Sequence, residues 1–179
     1  FDEVYANQLG LSQYRKKNQP IKLKNKKIEY FFFTSILKKL DFQLTNAQVK
    51  CINEIENDIN KKSQMKRLLQ GDVGSGKTLV ALSAILNLVE INKQAVLMAP
   101  TDLLCFQHFE FISKYTSHLK IKVSLLTSKI KQVDKKKILK DILDGNSQII
   151  IGTHSLISDN VKFYNLGIAV IDEQHKFGV

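Results

Sequence analysis

The segment Gly71-x-x-x-x-Gly76-Lys77-Thr78 has the residue types and spacing of a phosphate-binding loop joining a strand to a helix. Gly71, Gly74 and Gly76, with the small Ser75 between them, allow a tight turn whose backbone N–H groups can approach a phosphate unobstructed by Cβ atoms. Lys77 would meet the β- and γ-phosphates as a point charge, and the Thr78 hydroxyl would hold Mg²⁺. A helix opening near Lys77 would add its positive N-terminal end to the anion site. A second constellation, Asp172-Glu173-Gln174-His175, follows the apolar run LGIAVI. Two adjacent carboxylates at a strand end can divide the work of nucleotide hydrolysis. Asp172 would fix the metal, usually through water, and Glu173 would polarise the attacking water. Taken alone, such a pair also suits the cap of the next turn.

These residues need elements to hold them. Thr45 is suited to cap a helix over 45–60 with Ile52, Ile55 and Ile59 at core spacing. From residue 66 onward, apolar runs and helical patterns alternate. Strands are expected at about 66–70, 94–99, 121–126, 148–152 and 166–171, with helices at about 77–92, 102–117 and 131–144. In the 77–92 helix Ser83, Asn87 and Glu90 form one narrow polar stripe, so most of that helix should be buried. The alternation predicts an α/β fold with a parallel sheet covered by helices on both faces. Ligands of such sheets bind beyond the carboxyl ends of the strands. All the expected exits there are polar: the phosphate loop, Pro100-Thr101-Asp102, Thr127-Ser128-Lys129, Gly152-Thr153-His154 and Asp172-Glu173-Gln174-His175. A sheet with only a structural role would not need five polar exits on one edge.

The length of 179 residues suits one domain with a sizeable core and an appendage. No apolar stretch reaches membrane-spanning length and no signal-peptide pattern occurs, so a soluble, cytoplasmic protein with no membrane partner is expected. The chain starts and stops in the manner of a piece of a longer protein. Cys51 and Cys105 lack metal-like spacing and fall in expected helices, where a buried thiol is the simplest reading. The net charge of +10 suits a polyanionic partner. It says little alone, because only Arg15 and Arg67 among the 27 basic residues are arginines, and abundant Lys, Ile and Asn reflect AT-biased coding. The run Lys135-Lys136-Lys137 reads as the solvated face of an amphipathic helix.

The strings RLLQGDVGSGKT, APTDLLCFQH, IIIGTHSLI and LGIAVIDEQHKFGV occur in this order, and over about residues 42–179 they resemble the superfamily 2 helicase motor, within it the RecG ATP-dependent DNA helicases. The similar motor of the transcription-repair coupling factor, a double-stranded DNA translocase, is the alternative. It tends to carry Phe where Ser75 stands and Glu where Gln174 stands. The resemblance implies a RecA-like, P-loop first motor domain over 41–179, preceded by a helical connector over 1–40. It implies ATP and Mg²⁺ as cofactors and branched or double-stranded DNA as partner. Within a whole enzyme it also implies a second RecA-like domain and a wedge domain, together remodelling forks and Holliday junctions in recombination and repair. By the same resemblance Gln48 would read the purine edge, with Phe42 either packed on the ring or part of the core. Pro100, Thr101, Gly152, Thr153 and His154 would meet DNA, and His175 would join the ATP and DNA sites. Gln107 and His108 match a motif of the family, although a lone His on a helix is more often structural.

Other classes fit less well. A small-molecule kinase shares a phosphate loop but needs neither the DEQH nor the GTH exit. A non-catalytic nucleotide switch has no use for Glu173, and a DNA-binding module without ATPase activity has none for the loop.

Overall fold

The computed structural model of the protein describes residues 29–61 and 64–177. Its helices are α1 (Phe31–Leu37), α2 (Asn46–Asn60), α3 (Lys77–Glu90), α4 (Asp102–Thr116) and α5 (Gln132–Leu143). Strands β1 (Gln94–Met98), β2 (Val123–Leu126), β3 (Ile149–Gly152) and β4 (Leu166–Ile171) form one parallel sheet in the order β2-β3-β1-β4. Short 3-10 turns at His154–Ile157 and Gln174–Lys176 follow β3 and β4. Of the helical connector expected over 1–40, α1 falls within the described residues, and residues 1–28 lie outside them.

Local chemistry explains the elements that flank the site. Helix α2 begins with a reciprocal cap: Gln48 N donates to Thr45 Oγ1 at 3.2 Å, and Thr45 N donates to Gln48 Oε1 at 2.9 Å. Its Ile52, Ile55 and Ile59 are buried, as the spacing requires. Helix α3 lies on the sheet with α1 and α2 on its outer side, which is why its apolar run extends around the whole helix. Even Ser83 and Asn87 of its polar stripe are fully buried. Glu90, at its end, accepts hydrogen bonds from Glu29 N and Phe32 N, both 3.1 Å, and so caps the start of α1.

Side chains alternate across the sheet. Ala95, Leu97, Ile149 and Ile151 face the core shared with α3 and α4, while Val96, Met98 and Ile150 face the one closed by Ile142 of α5.

Two expectations fail. Residues 66–70 are not a strand: residues 64–72 run as irregular chain without sheet pairing. Strand β4 is likewise not buried; Leu166, Ala169 and Ile171 are exposed, and Gly167, Ile168 and Val170 are half-buried. The causes overlap only in part, because Ile168 and Val170 of β4 pack against the core under α3 whereas Ala169 and Ile171 join neither core. An open cleft of about 2160 Å³ lies between residues 64–72 and β4, so neither segment has a hydrogen-bonding neighbour on that side among the described residues. Apolar composition marks a segment for burial, but a strand needs a partner ladder within reach.

Candidate nucleotide site and strand exits

The phosphate loop hangs between two anchors. At its entrance Arg67 is tied to α2 by bonds from Nε to Asp58 Oδ2 (2.9 Å) and from Nη1 to Glu54 Oε2 (2.7 Å). Hydrogen bonds from Lys61 and Arg67 hold the Asp58 carboxyl below the ordinary aspartate range. At its exit Gly76 caps α3 in the left-handed region, φ 79°. Only glycine suits that place, because a Cβ there would also collide with the Gln48 amide. Gly74 is left-handed as well, φ 80°. A Cβ on Gly71 would stand 2.8 Å from Ser75 Oγ, so the two small residues close the turn against each other.

Lys77 points into this loop and donates from Nζ to the carbonyls of Gly71 (2.7 Å) and Asp72 (2.8 Å). A phosphate entering the loop would exchange these carbonyls for its own oxygens. Thr78 follows on the first turn of α3, which carries no acidic residue to offset the positive helix end. Gln48 reaches the loop, its Nε2 donating to Ser75 O at 2.9 Å, so both ends of its amide are engaged, one by the α2 cap and one by the loop. Phe42 is 54% exposed, which excludes the core alternative for that ring.

The β4 exit faces the same cleft, whose lining includes Lys77, Thr78, Asp172, Glu173 and His175. Asp172 N donates to Met98 O (2.8 Å), its Oδ1 accepts Glu173 N (3.0 Å), and its Oδ2 accepts His108 Nε2 (2.8 Å). Glu173 adopts φ 51°, a conformation that costs a non-glycine residue about 1 kcal/mol or more. Its Oε2 is 3.3 Å from His175 Nε2. No group of three or more His, Cys, Asp or Glu among the described residues could hold a metal ion by itself. A hydroxyl and a carboxylate on one cleft instead suit Mg²⁺ that arrives with phosphate and keeps several waters.

Strand order sets what adjoins what. Reading along the carboxyl edge, the exits run Thr127-Ser128, Thr153-His154, Pro100-Thr101 and Asp172-Glu173. Thr101 is exposed, and its hydroxyl caps α4 by accepting Leu104 N at 3.2 Å. Pro100 is half-buried beside it, and Ser128 Oγ donates to Asp102 Oδ2 (2.9 Å), joining two exits. His154 is exposed. Gly152 and Thr153 are buried, which leaves the Thr153 hydroxyl little access from the surface. Gly152 sits where a Cβ would strike the Leu126 carbonyl, and Thr153 Oγ1 lies 3.3 Å from Ser155 Oγ. At this exit, packing within the sheet has taken both residues.

Sequence reasoning left the His108–Asp172 contact unseen. Its signal was a polar residue within the buried stripe Cys105, His108, Ile112 and Thr116, because a buried polar group needs a partner. Cys105 is buried as expected. Burial pushes its thiol up to about 11, so it stays un-ionised at neutral pH.

Comparison with known proteins identifies the family of this fold. The DEAD/DEAH box helicase family matches residues 45–179. ATP-dependent DNA helicases RecG from Aquifex aeolicus and Thermotoga maritima are 40% and 42% identical to the chain over 179 residues, all of this chain and 23% of each relative. A solved structure of RecG bound to a three-way DNA junction is 42% identical, with a TM-score of 0.85 over 94% of this chain and 23% of that one. A hypothetical ATP-dependent RNA helicase from Sulfolobus tokodaii, 18% identical with a TM-score of 0.61 over 80% of this chain and 41% of its own, shares the fold. The chain thus spans about a quarter of the length of its RecG relatives. With the RecA-like fold and a family match across the phosphate loop and the Asp172-Glu173 exit, the chain belongs to the DEAD/DEAH box helicase family, and its similarity within that family is to the RecG helicases.

Proposed function

We propose that this chain is the ATP-binding half of a motor that remodels branched DNA, regressing forks and migrating Holliday junctions in recombination and repair. The observation that carries the reading is a single cleft lined by Lys77 and Thr78 on one side and by Asp172 and Glu173 on the other. In this reading Gly71, Gly74, Ser75 and Gly76 wrap the phosphates, Lys77 neutralises them, and Gln48 and Phe42 take the base. Thr78, and Asp172 usually through water, would hold Mg²⁺, which when bound would neutralise charge on the phosphates. Glu173 accepts a proton from the attacking water, and His175, beside it, relays the state of the site to DNA. Pro100, Thr101 and His154 meet the DNA backbone. Gly152 and the buried Thr153 shape the adjoining exit, where any contact to DNA would be made through backbone groups. The three-way junction bound in the similar RecG structure supports branched DNA as the substrate.

The test is nucleotide hydrolysis by the full-length protein, with branched and with linear DNA of equal length. Stimulation by DNA, greater with the branched form, is the expected result. Hydrolysis indifferent to DNA would remove the motor reading, and equal stimulation by both forms would remove the preference for branches. Because phosphate contacts are sequence-independent, stimulation should weaken with salt and not with base composition.

A further inference from the structure

We infer that His108 is a positioning residue for the Asp172 carboxylate, holding it in the orientation in which it receives the hydrated cation; this rests on the reading of Asp172 as a metal ligand. An aspartate side chain has two rotatable bonds and could turn its oxygens in several directions at a strand exit. Here both oxygens are spoken for. Oδ1 accepts the Glu173 amide at 3.0 Å, and Oδ2 accepts His108 Nε2–H at 2.8 Å, the ring nitrogen donating because an ionised carboxylate can only accept. The Asp172 amide is fixed in turn to Met98 O at 2.8 Å. Each carboxylate oxygen keeps lone-pair capacity for water or metal after these bonds.

The contact is built rather than incidental. His108 comes from α4, 64 positions away in sequence, and only 8% of it is exposed, while the Asp172 side chain is 29% exposed toward the cleft. Helix α4 leaves the β1 exit, and β4 is hydrogen-bonded to β1, so the strand order delivers the ring to the carboxylate. Cys105 and Ile112, one turn to either side, lie on the same buried stripe of α4 and fix the face of the helix from which His108 reaches the cleft. Partners of this kind, which orient a ligand without touching the metal, typically change metal affinity by about 10–100-fold when removed.

The full-length protein would be titrated with Mg²⁺ while binding of a fluorescent ATP analogue is followed, and the same binding would be measured in EDTA. Two variants keep side-chain volume: His108→Gln, whose amide can still donate to Oδ2, and His108→Met, which cannot. Melting temperatures without metal establish that both are folded. His108→Met should need about tenfold more Mg²⁺ for half-maximal binding, with its affinity in EDTA unchanged and His108→Gln close to the parent. Equal Mg²⁺ curves for Met, Gln and parent, or a loss for Met that is as large in EDTA as in Mg²⁺, would overturn the positioning role and leave His108 a packing residue. Asp172→Asn supplies the separate control. If it responds to Mg²⁺ as the parent does, the metal reading of Asp172 fails; if it loses the response and His108→Met does not, only the role of His108 fails.

Discussion

Glu173 is the group assigned to the attacking water, and an amide cannot take its proton. Glu173→Gln in the full-length protein should therefore keep nucleotide and DNA binding while turnover falls by about 10²–10⁴-fold. Steady-state hydrolysis beside an equilibrium binding measurement checks it, and parental turnover would show that another residue activates the water. Glu56 concerns stability alone. It is partly buried against α3, where Asn87 Nδ2 reaches its Oε1 at 3.5 Å and the buried Asn87 Oδ1 has no hydrogen-bond partner. Burial raises the Glu56 carboxyl above its ordinary value, with the Asn87 bond acting the other way. A raised folded value means that the charged form is penalised at neutral pH and that stability is gained as pH falls through that value. Glu56→Gln removes the charge and offers N–H donors to the orphaned oxygen. It should stabilise the fold by about 0.5–1 kcal/mol at pH 7, allowing for solvent around Glu56, and by less as the parent protonates toward acid. Denaturant unfolding at neutral and mildly acidic pH reads the difference. A constant gain at every pH would exclude the charge as its cause.

At the scale of elements, β3 shows how a sheet constrains its own exit. Gly152 pairs with Leu126 on one side and Met98 on the other. A Cβ there would collide with the Leu126 carbonyl and stand 2.9 Å from Leu156 Cγ. Backbone in a central strand cannot yield cheaply, so Gly152→Ala should destabilise by about 1–3 kcal/mol. Denaturant unfolding of the variant measures this, and a loss below about 0.5 kcal/mol would mean that the 152–156 turn adapts freely. The phosphate loop is held differently. Its entrance depends on Arg67 clasping Asp58 and Glu54 of α2, and its exit on Gly76 and Gln48. Helix α2 therefore supports both ends of the loop.

For the molecule as a whole, phosphoryl transfer in the proposed motor would depend on which cations reach the γ-phosphate. Such transfer gains about 10³–10⁵-fold from an arginine placed on the developing charge. Of the two arginines, Arg67 is committed to Asp58 and Glu54, and Arg15 lies outside the described residues. Lysine, a flexible point charge, matches a planar bidentate contact less well. Residues 1–179 expressed alone should bind Mg·ATP weakly yet turn it over at least about 100-fold more slowly than the full-length protein on DNA. The comparison is one of DNA-stimulated rates at saturating nucleotide. Turnover within about tenfold of the full-length protein would show a catalytic set already complete in this chain.

Much of this protein is decided within a few residues of sequence. The glycine spacing of 71–76 dictates left-handed turns and an N-cap without a side chain, and Thr45 with Gln48 fixes the start of α2. The alternation of apolar strands and helical runs gives a parallel sheet with polar exits on one edge, because each element's periodicity expresses which of its faces needs covering. No helix among the described residues is long and apolar enough to cross a membrane, in keeping with those short runs. Contacts between distant segments followed no such local rule. Residues 66–70 and β4 carry strand composition, yet the first has no sheet partner and the second has one face that joins no core. The same holds for the burial of Thr153, the clasp on Arg67 and the approach of His108 to Asp172. Strand order and helix placement set those pairings, and they are properties of how the whole chain fills space, since a side chain's partner is whatever the fold brings within about 3 Å of it.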